Sequence, residues 1–327
     1  MAFRRLLETA RPTWTAYRPD LDGMRGLAIL LVLIEHTATT REAYLLRIAP
    51  AMAGVTVFFV LSGYLITGLL AREQPIDLRN FYLRRAIRLG PALLVLIAAV
   101  ALLSILGVSQ VPWLPGVVSS LFYVTNWADV IGVPTGLLGH AWSLSIEEQF
   151  YLVWPLMMLL IPRRWLLPVA VVLAIGGCTL YFLGVGPVYY STFTNGGAIL
   201  AGCAIALADR PLPRIAGLLG IALIVVGAVI LSQTMAVVGA VLLLVGPVEA
   251  LVPIAPIGRR AYSLYLWSWP FAYLIGGVAA LPFTLVAAEL SYRFVEQPVR
   301  QRLHGRFAPH RARVPGPRLI AGEQATG

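Results

Sequence analysis

The chain has 327 residues, of which 59% are hydrophobic and only 12% charged. Soluble domains carry about 25% charged residues, so the composition excludes an ordinary soluble protein and predicts a polytopic membrane protein. The net charge of +10 does not imply a nucleic-acid partner. Cytoplasmic loops collect positive charge for topological reasons, and no basic patch is interleaved with stacking aromatics. All 25 basic residues are arginine. Together with abundant Ala, Val, Leu and Gly, this predicts the cytoplasmic (inner) membrane of a GC-rich bacterium. Cys178 and Cys203 both lie in apolar runs, where neither a metal site nor a disulfide framework is expected.

Taken in order, the hydrophobic runs predict an all-α bundle of about ten transmembrane helices. The expected spans are 24–40, 52–70, 89–107, 141–161, 165–184, 196–208, 215–231, 235–252, 261–277 and 283–297. The apolar piece from Val117 to Trp127 is too short to cross, since a span needs about 20 residues, and reads as interfacial or re-entrant. With this assignment 23 of the 25 arginines fall on one side, and only Arg41 and Arg47 on the other. That is the pattern of the positive-inside rule, with both termini cytoplasmic. Residues 1–302 form one integral-membrane domain. Residues 303–327 read as a basic, disordered tail along the anionic leaflet, and no second globular domain is expected.

Four polar constellations interrupt the apolar pattern. In the first span, Arg25 and His36 stand eleven residues apart. At about 100° and 1.5 Å per residue they share one helix face about 16 Å apart. Polar groups at such depth usually face a cavity or a partner. At the mouth of the third span, Arg84, Arg85 and Arg88 are helical neighbours. They read either as a topological anchor or as a phosphate site, because arginine forks match phosphate oxygens. In the fourth span, His140, Ser143 and Glu147 share a face, with Glu148 about 100° away and His140 nearer the surface. Two adjacent carboxylates within a span are costly unless paired or protonated. Pro155 kinks the helix just beyond them. In the last span, Glu289, Arg293, Glu296 and Arg300 read as a ladder that satisfies itself along one helix face.

These blocks resemble the membrane-bound acyltransferase 3 family over about residues 18–300. The arginine, ten residues, histidine pattern is Arg25 to His36. The second-span block is GVTVFFVLSGYLIT, 54–67, and the arginine cluster is FYLRRAIRLGP, 81–91. The strongest match is HAWSLSIEEQFYLVWP, 140–155, followed by YSLYLWSWP, 262–270, and SYRFVEQPVR, 291–300. The chain departs from the family at Thr56, where an Asp is usual, and at Ser268, where a His is usual.

The resemblance implies an O-acyltransferase that modifies bacterial glycans or antibiotic sugars. It uses acyl-CoA, most commonly acetyl-CoA, as a co-substrate, with no permanently bound cofactor and no metal. Arg25, Arg84, Arg85 and Arg88 would hold the donor. His36 would be the general base, since histidine titrates nearest the operating pH, and Glu147 or Glu148 would orient it as in triad logic. Asp22, Ser62, His140, Ser143, Tyr151, Tyr265 and Ser268 would support the site or face the acceptor. The hydroxyl can attack the thioester directly or through an acyl-histidine. The implied partners are the lipid bilayer, acyl-CoA and a carbohydrate or glycosylated small-molecule acceptor. A transporter or flippase for a lipid-linked sugar is the rival reading, because intramembrane Glu and His also serve carriers. The two halves show no internal repeat to favour it. A non-catalytic relative is the third.

Overall fold

In the computed structural model the described residues are 18–38, 50–73, 75–108, 112–208, 213–229, 232–246 and 248–306. Every regular element among them is helical. The loop holding Arg41 and Arg47 lies outside the described residues, as does the expected tail beyond Arg306.

The first helices are α1 (Pro19–Thr37), α2 (Pro50–Arg72) and α3 (Leu78–Ile105). They are followed by the short α4 (Trp113–Leu121) and α5 (Thr125–Val130). These two short pieces stand where an interfacial segment was expected. Next come α6 (Ala141–Leu160), α7 (Arg163–Phe182), α8 (Thr192–Ala208) and α9 (Arg214–Val229). Then α10 (Gln233–Val245), a 3₁₀ turn (Glu249–Ile254) and α11 (Ala255–Arg259) lead to α12 (Ala261–Ile275), α13 (Ala280–Ser291) and α14 (Gln297–Arg306).

Among the described residues, three helices are long and apolar enough to cross a bilayer: 52–72, 78–105 and 163–182. A fourth counts if α10 and the segment after it form one bent span. The remaining helices are shorter or diluted by polar groups such as Asp22, Arg25, Glu147 and Glu148. Two expected spans change form. That over 235–252 stops at Val245, and the chain turns into the 3₁₀ segment, with Pro253 inside it. That over 283–297 is interrupted by a π turn at Tyr292–Glu296. The expected tail begins as helix, because α14 continues to Arg306.

Helix α1 is the axis of the bundle. It packs on α2, on the Glu249–Arg259 segment and on α12. Met24, Ala28, Ile29 and Val32 are almost fully buried between them. The approach to α11 is backbone to backbone: a Cβ on Gly258 would sit 1.7 Å from the Asp22 carbonyl oxygen. The same device joins α2 to α8, where a Cβ on Gly202 would lie 1.9 Å from the Val60 carbonyl oxygen. Small residues at helix contacts let backbones approach within a membrane, where lipid gives no hydrophobic drive between helices.

Gly202→Ala should therefore destabilise the purified protein by about 2–3 kcal/mol, the cost of overpacking a tight contact. Gly176→Ala, in α7 with open space at its Cβ, should raise stability by up to about 1 kcal/mol through helix propensity. Thermal unfolding of both variants in one detergent checks the contrast. Equal effects would contradict the close α2–α8 approach.

Candidate functional site

The polar residues of α1, α2, α6 and α12 converge on two cavities. One, of about 210 Å³, is lined by Arg25, Arg85, Arg88, Arg259 and Arg300 together with Asp22, Ser62, Ser143, Glu147, Tyr151 and Glu296. The other, of about 420 Å³, is lined by Glu35, His36, His140 and Asp129 and by Trp142, Tyr189, Tyr190, Trp269 and Tyr273. Val55 and Tyr265 line both, so the cavities meet across these two side chains. The α1 stripe places Arg25 in the first cavity and His36 in the second. The α6 stripe does the same in the opposite sense, with Glu147 in the first and His140 in the second.

His36 is buried, and its Nδ1 lies 2.8 Å from Ser268 Oγ. Ser268 Oγ also lies 2.9 Å from the Tyr265 carbonyl oxygen, which can only accept. A serine has one hydroxyl proton. With that proton on the Tyr265 carbonyl, Oγ accepts from His36 Nδ1–H. This arrangement corresponds to the Nδ1–H tautomer, in which Nε2 keeps its lone pair. Trp269 packs its ring edge on the imidazole, with centroids 5.2 Å apart, and donates its indole N–H to the Gly136 carbonyl. Two neighbours on α12 thus hold the ring.

Glu147 and Glu148 do not fill the expected orienting role. No hydrogen bond joins either to His36 among the described residues, because seven residues of α6, about 10 Å, separate Glu147 from His140 at the His36 cavity. Glu147 accepts from Ser62 Oγ at 2.8 Å, with the Tyr151 hydroxyl at 3.5 Å. Glu148 accepts from Arg85 Nε at 3.0 Å. Tyr151 supports the same guanidinium, whose carbon lies 3.1 Å from its ring centroid.

Of the expected donor arginines, Arg25 pairs with Asp22 at 2.7 Å, and Arg25, Arg85 and Arg88 all line the first cavity. Arg84 does not: its Nη2 donates to both carboxylate oxygens of Glu73. One residue of offset on α3 turns it about 100° from Arg85.

His140 is buried within the bundle. It caps α6, and its ring tilts on Tyr265 with centroids 5.2 Å apart. Pro270 deprives the Leu266 carbonyl of its helical donor, and neither ring nitrogen of His140 has a hydrogen-bond partner among the described residues. The Tyr265 hydroxyl donates to the His140 carbonyl and meets Ser143 Oγ, which pins the side chain between the cavities. Thr56 is fully buried, and its hydroxyl has no hydrogen-bond partner among the described residues. Outside the spans, Thr135 donates to Asp129 at 2.8 Å. Burial raises the Asp129 carboxyl above its usual range, and that hydrogen bond opposes the shift.

The expected ladder in the last helix does not form as one face. Glu289 pairs with Arg293 and Arg260, Glu296 accepts from Ser263, and Arg300 turns to the first cavity. Arg259, Glu296 and Arg300 are therefore cavity residues that helical spacing alone did not reveal.

The acyltransferase 3 family model, described as an acyltransferase domain, matches residues 18–288. The chain belongs to this family. It is similar to the peptidoglycan O-acetyltransferase OatA of Listeria monocytogenes, with 30% identity over 87% of this chain and 56% of that protein. It is also similar to the O-acetyltransferase OatA of Staphylococcus aureus, with 29% identity over 94% of this chain and 60% of that protein. The chain thus spans little more than half the length of these curated relatives. No solved structure matches it.

The Arg85–Glu148 pair is well shielded, with side chains 14% and 15% exposed. Breaking such a pair strands a charge, at a cost of about 3–5 kcal/mol. Glu148→Ala should therefore lower thermal stability strongly. Glu73→Ala, at the more exposed pair with Arg84, should cost under about 1 kcal/mol. Equal losses would show that Glu148 is not the partner that holds Arg85.

Proposed function

We propose that this protein is an integral-membrane O-acyltransferase of about ten spans, with both termini cytoplasmic. It moves an acyl group, most simply acetyl, from acyl-CoA to a sugar hydroxyl of a glycan. The observation that carries this reading is His36, tied at Nδ1 by Ser268, in a cavity that meets an arginine-lined cavity at Tyr265 and Val55. The names of the relatives point to peptidoglycan as the class of acceptor. The aromatic wall of Trp142, Tyr189, Tyr190 and Trp269, with Glu35 and Asp129 beside it, suits a sugar: rings for its apolar faces and carboxylates for its hydroxyls.

The donor enters from the arginine side, past Arg25, Arg85 and Arg88, since arginine suits its phosphates. Its thioester arm reaches past Tyr265 toward His36. The acceptor hydroxyl gives its proton to His36 Nε2 as its oxygen bonds to the thioester carbonyl carbon. The carbon–sulfur bond then breaks, and the CoA thiolate recovers the proton from Nε2. The Nδ1–H to Ser268 bond keeps the ring oriented and shares the charge that it briefly carries. Glu147 stays on the donor side, where it orders Ser62 and Tyr151.

The test is transfer of labelled acetyl from acetyl-CoA in membranes with matched amounts of each variant. His36→Ala should lose about 10²- to 10⁴-fold of activity, the usual contribution of a general base, while still binding acetyl-CoA. Ser268→Ala should lose about five- to tenfold, the worth of one hydrogen bond of about 1–1.5 kcal/mol. Should His36→Ala keep more than about a tenth of wild-type activity, well short of the general-base contribution, His36 is not the base.

A further inference from the structure

We propose that Arg259 and Arg300, together with Arg88, form the phosphate-binding half of the arginine-lined cavity, and that their ligand is the phosphorylated nucleotide of a thioester donor. This rests on the acyl-CoA reading above and adds residues outside the arginine cluster of α3.

Five arginines line this cavity. Arg25 is paired with Asp22, and Arg85 with Glu148. Arg88, Arg259 and Arg300 have no ion pair or hydrogen bond among the described residues. Of the carboxylates that line the cavity, Asp22 is ion-paired with Arg25, while Glu147 and Glu296 accept hydrogen bonds from the neutral Ser62 and Ser263. Three guanidinium groups from α3, α11 and α14 thus converge without a direct ion pair; Glu296 lies within electrostatic reach of Arg88 and Arg300, but the five lining arginines outnumber the three lining carboxylates. Like charges gathered at the edge of an apolar bundle repel one another unless an anion joins them.

Two backbone devices bring these arginines together. The Gly258 contact with the Asp22 carbonyl seats α11 directly on α1 and so carries Arg259 to the cavity. The π turn at Tyr292–Glu296 carries Arg300. In a continuous α-helix, Glu289, Arg293, Glu296 and Arg300 would follow one face. One extra residue in the turn rotates what comes after it by about 100°. Glu289 and Arg293 accordingly stay with Arg260, while Glu296 and Arg300 line the cavity. Single π turns within helices are rare and frequently mark functional sites.

Arginine forks match phosphate oxygens in pairs, so three of them suit a ligand with more than one phosphate group. A nucleotide and a phospholipid headgroup share that chemistry. The nucleotide is favoured because this cavity meets the one that holds His36.

The experiment titrates the full-length protein, in nanodiscs of phosphatidylcholine, with acetyl-CoA and with acetyl-pantetheine, which has the thioester arm but no phosphate. Arg259→Ala and Arg300→Ala should each weaken acetyl-CoA binding about ten- to a hundredfold, the worth of one charged hydrogen bond, and leave acetyl-pantetheine binding unchanged. Arg79→Ala, an exposed arginine in the first turn of α3, should behave like wild type with both ligands. Wild-type acetyl-CoA affinity in both variants would overturn the assignment, as would an equal loss for both ligands. In discs containing phosphatidylglycerol, loss of bound anionic lipid in the variants, with acetyl-CoA affinity intact, would make this a headgroup site and also overturn it. A wild-type protein that binds no acetyl-CoA would instead sink the donor reading itself.

Discussion

Ser268 has a single hydroxyl proton, and where it goes decides what His36 can do. With the proton on the Tyr265 carbonyl, Ser268 accepts from Nδ1–H, and Nε2 keeps its lone pair. The arrangement requires α12 to stay in register with α1, because the acceptor and the imidazole belong to different helices. Trp269 next to Ser268, the Pro270 break and the Tyr265 anchor to His140 and Ser143 all serve that register. The close approach of the Glu249–Arg259 segment to α1 sets it from the other side.

The wider constraint is the cost of polar groups in an apolar bundle. Most are spent in pairs: Asp22 with Arg25, Glu148 with Arg85, Glu147 with Ser62 and Glu296 with Ser263. These pairs wall a charged cavity on one side of Tyr265 and leave an aromatic cavity on the other. The division suits a reaction that must hold a multiply charged, water-soluble donor and still keep its reacting carbonyl away from bulk solvent.

Much of this was legible in the sequence where it depends on helical period. The stripe from Arg25 to His36, the shared face of His140, Ser143 and Glu147, and the all-helical class all follow from spacing. What could not be read from period was the partner across helices. Triad logic suggested that Glu147 supports His36, yet Glu147 lines the other cavity, two helical turns along α6 from His140. Ser268 read as a departure from the family pattern, and the structure puts it on His36. The last-span ladder was misread because a π turn leaves no simple mark on side-chain spacing. Arg84 and Arg85 look alike in sequence, and the structure separates them by partner, Glu73 for Arg84 and Glu148 for Arg85.

The central claim is that an acyl group passes from the charged cavity to the aromatic one between Val55 and Tyr265. Val55→Phe enlarges a side chain at that junction and keeps His36 and every cavity arginine. The most direct measurement compares acetyl-CoA binding and acetyl transfer for this variant in the same membranes. The account predicts binding close to wild type, with transfer reduced at least about tenfold, because even a slight misplacement of the reacting atoms is costly. Wild-type transfer by Val55→Phe with acetyl-CoA still bound would contradict it.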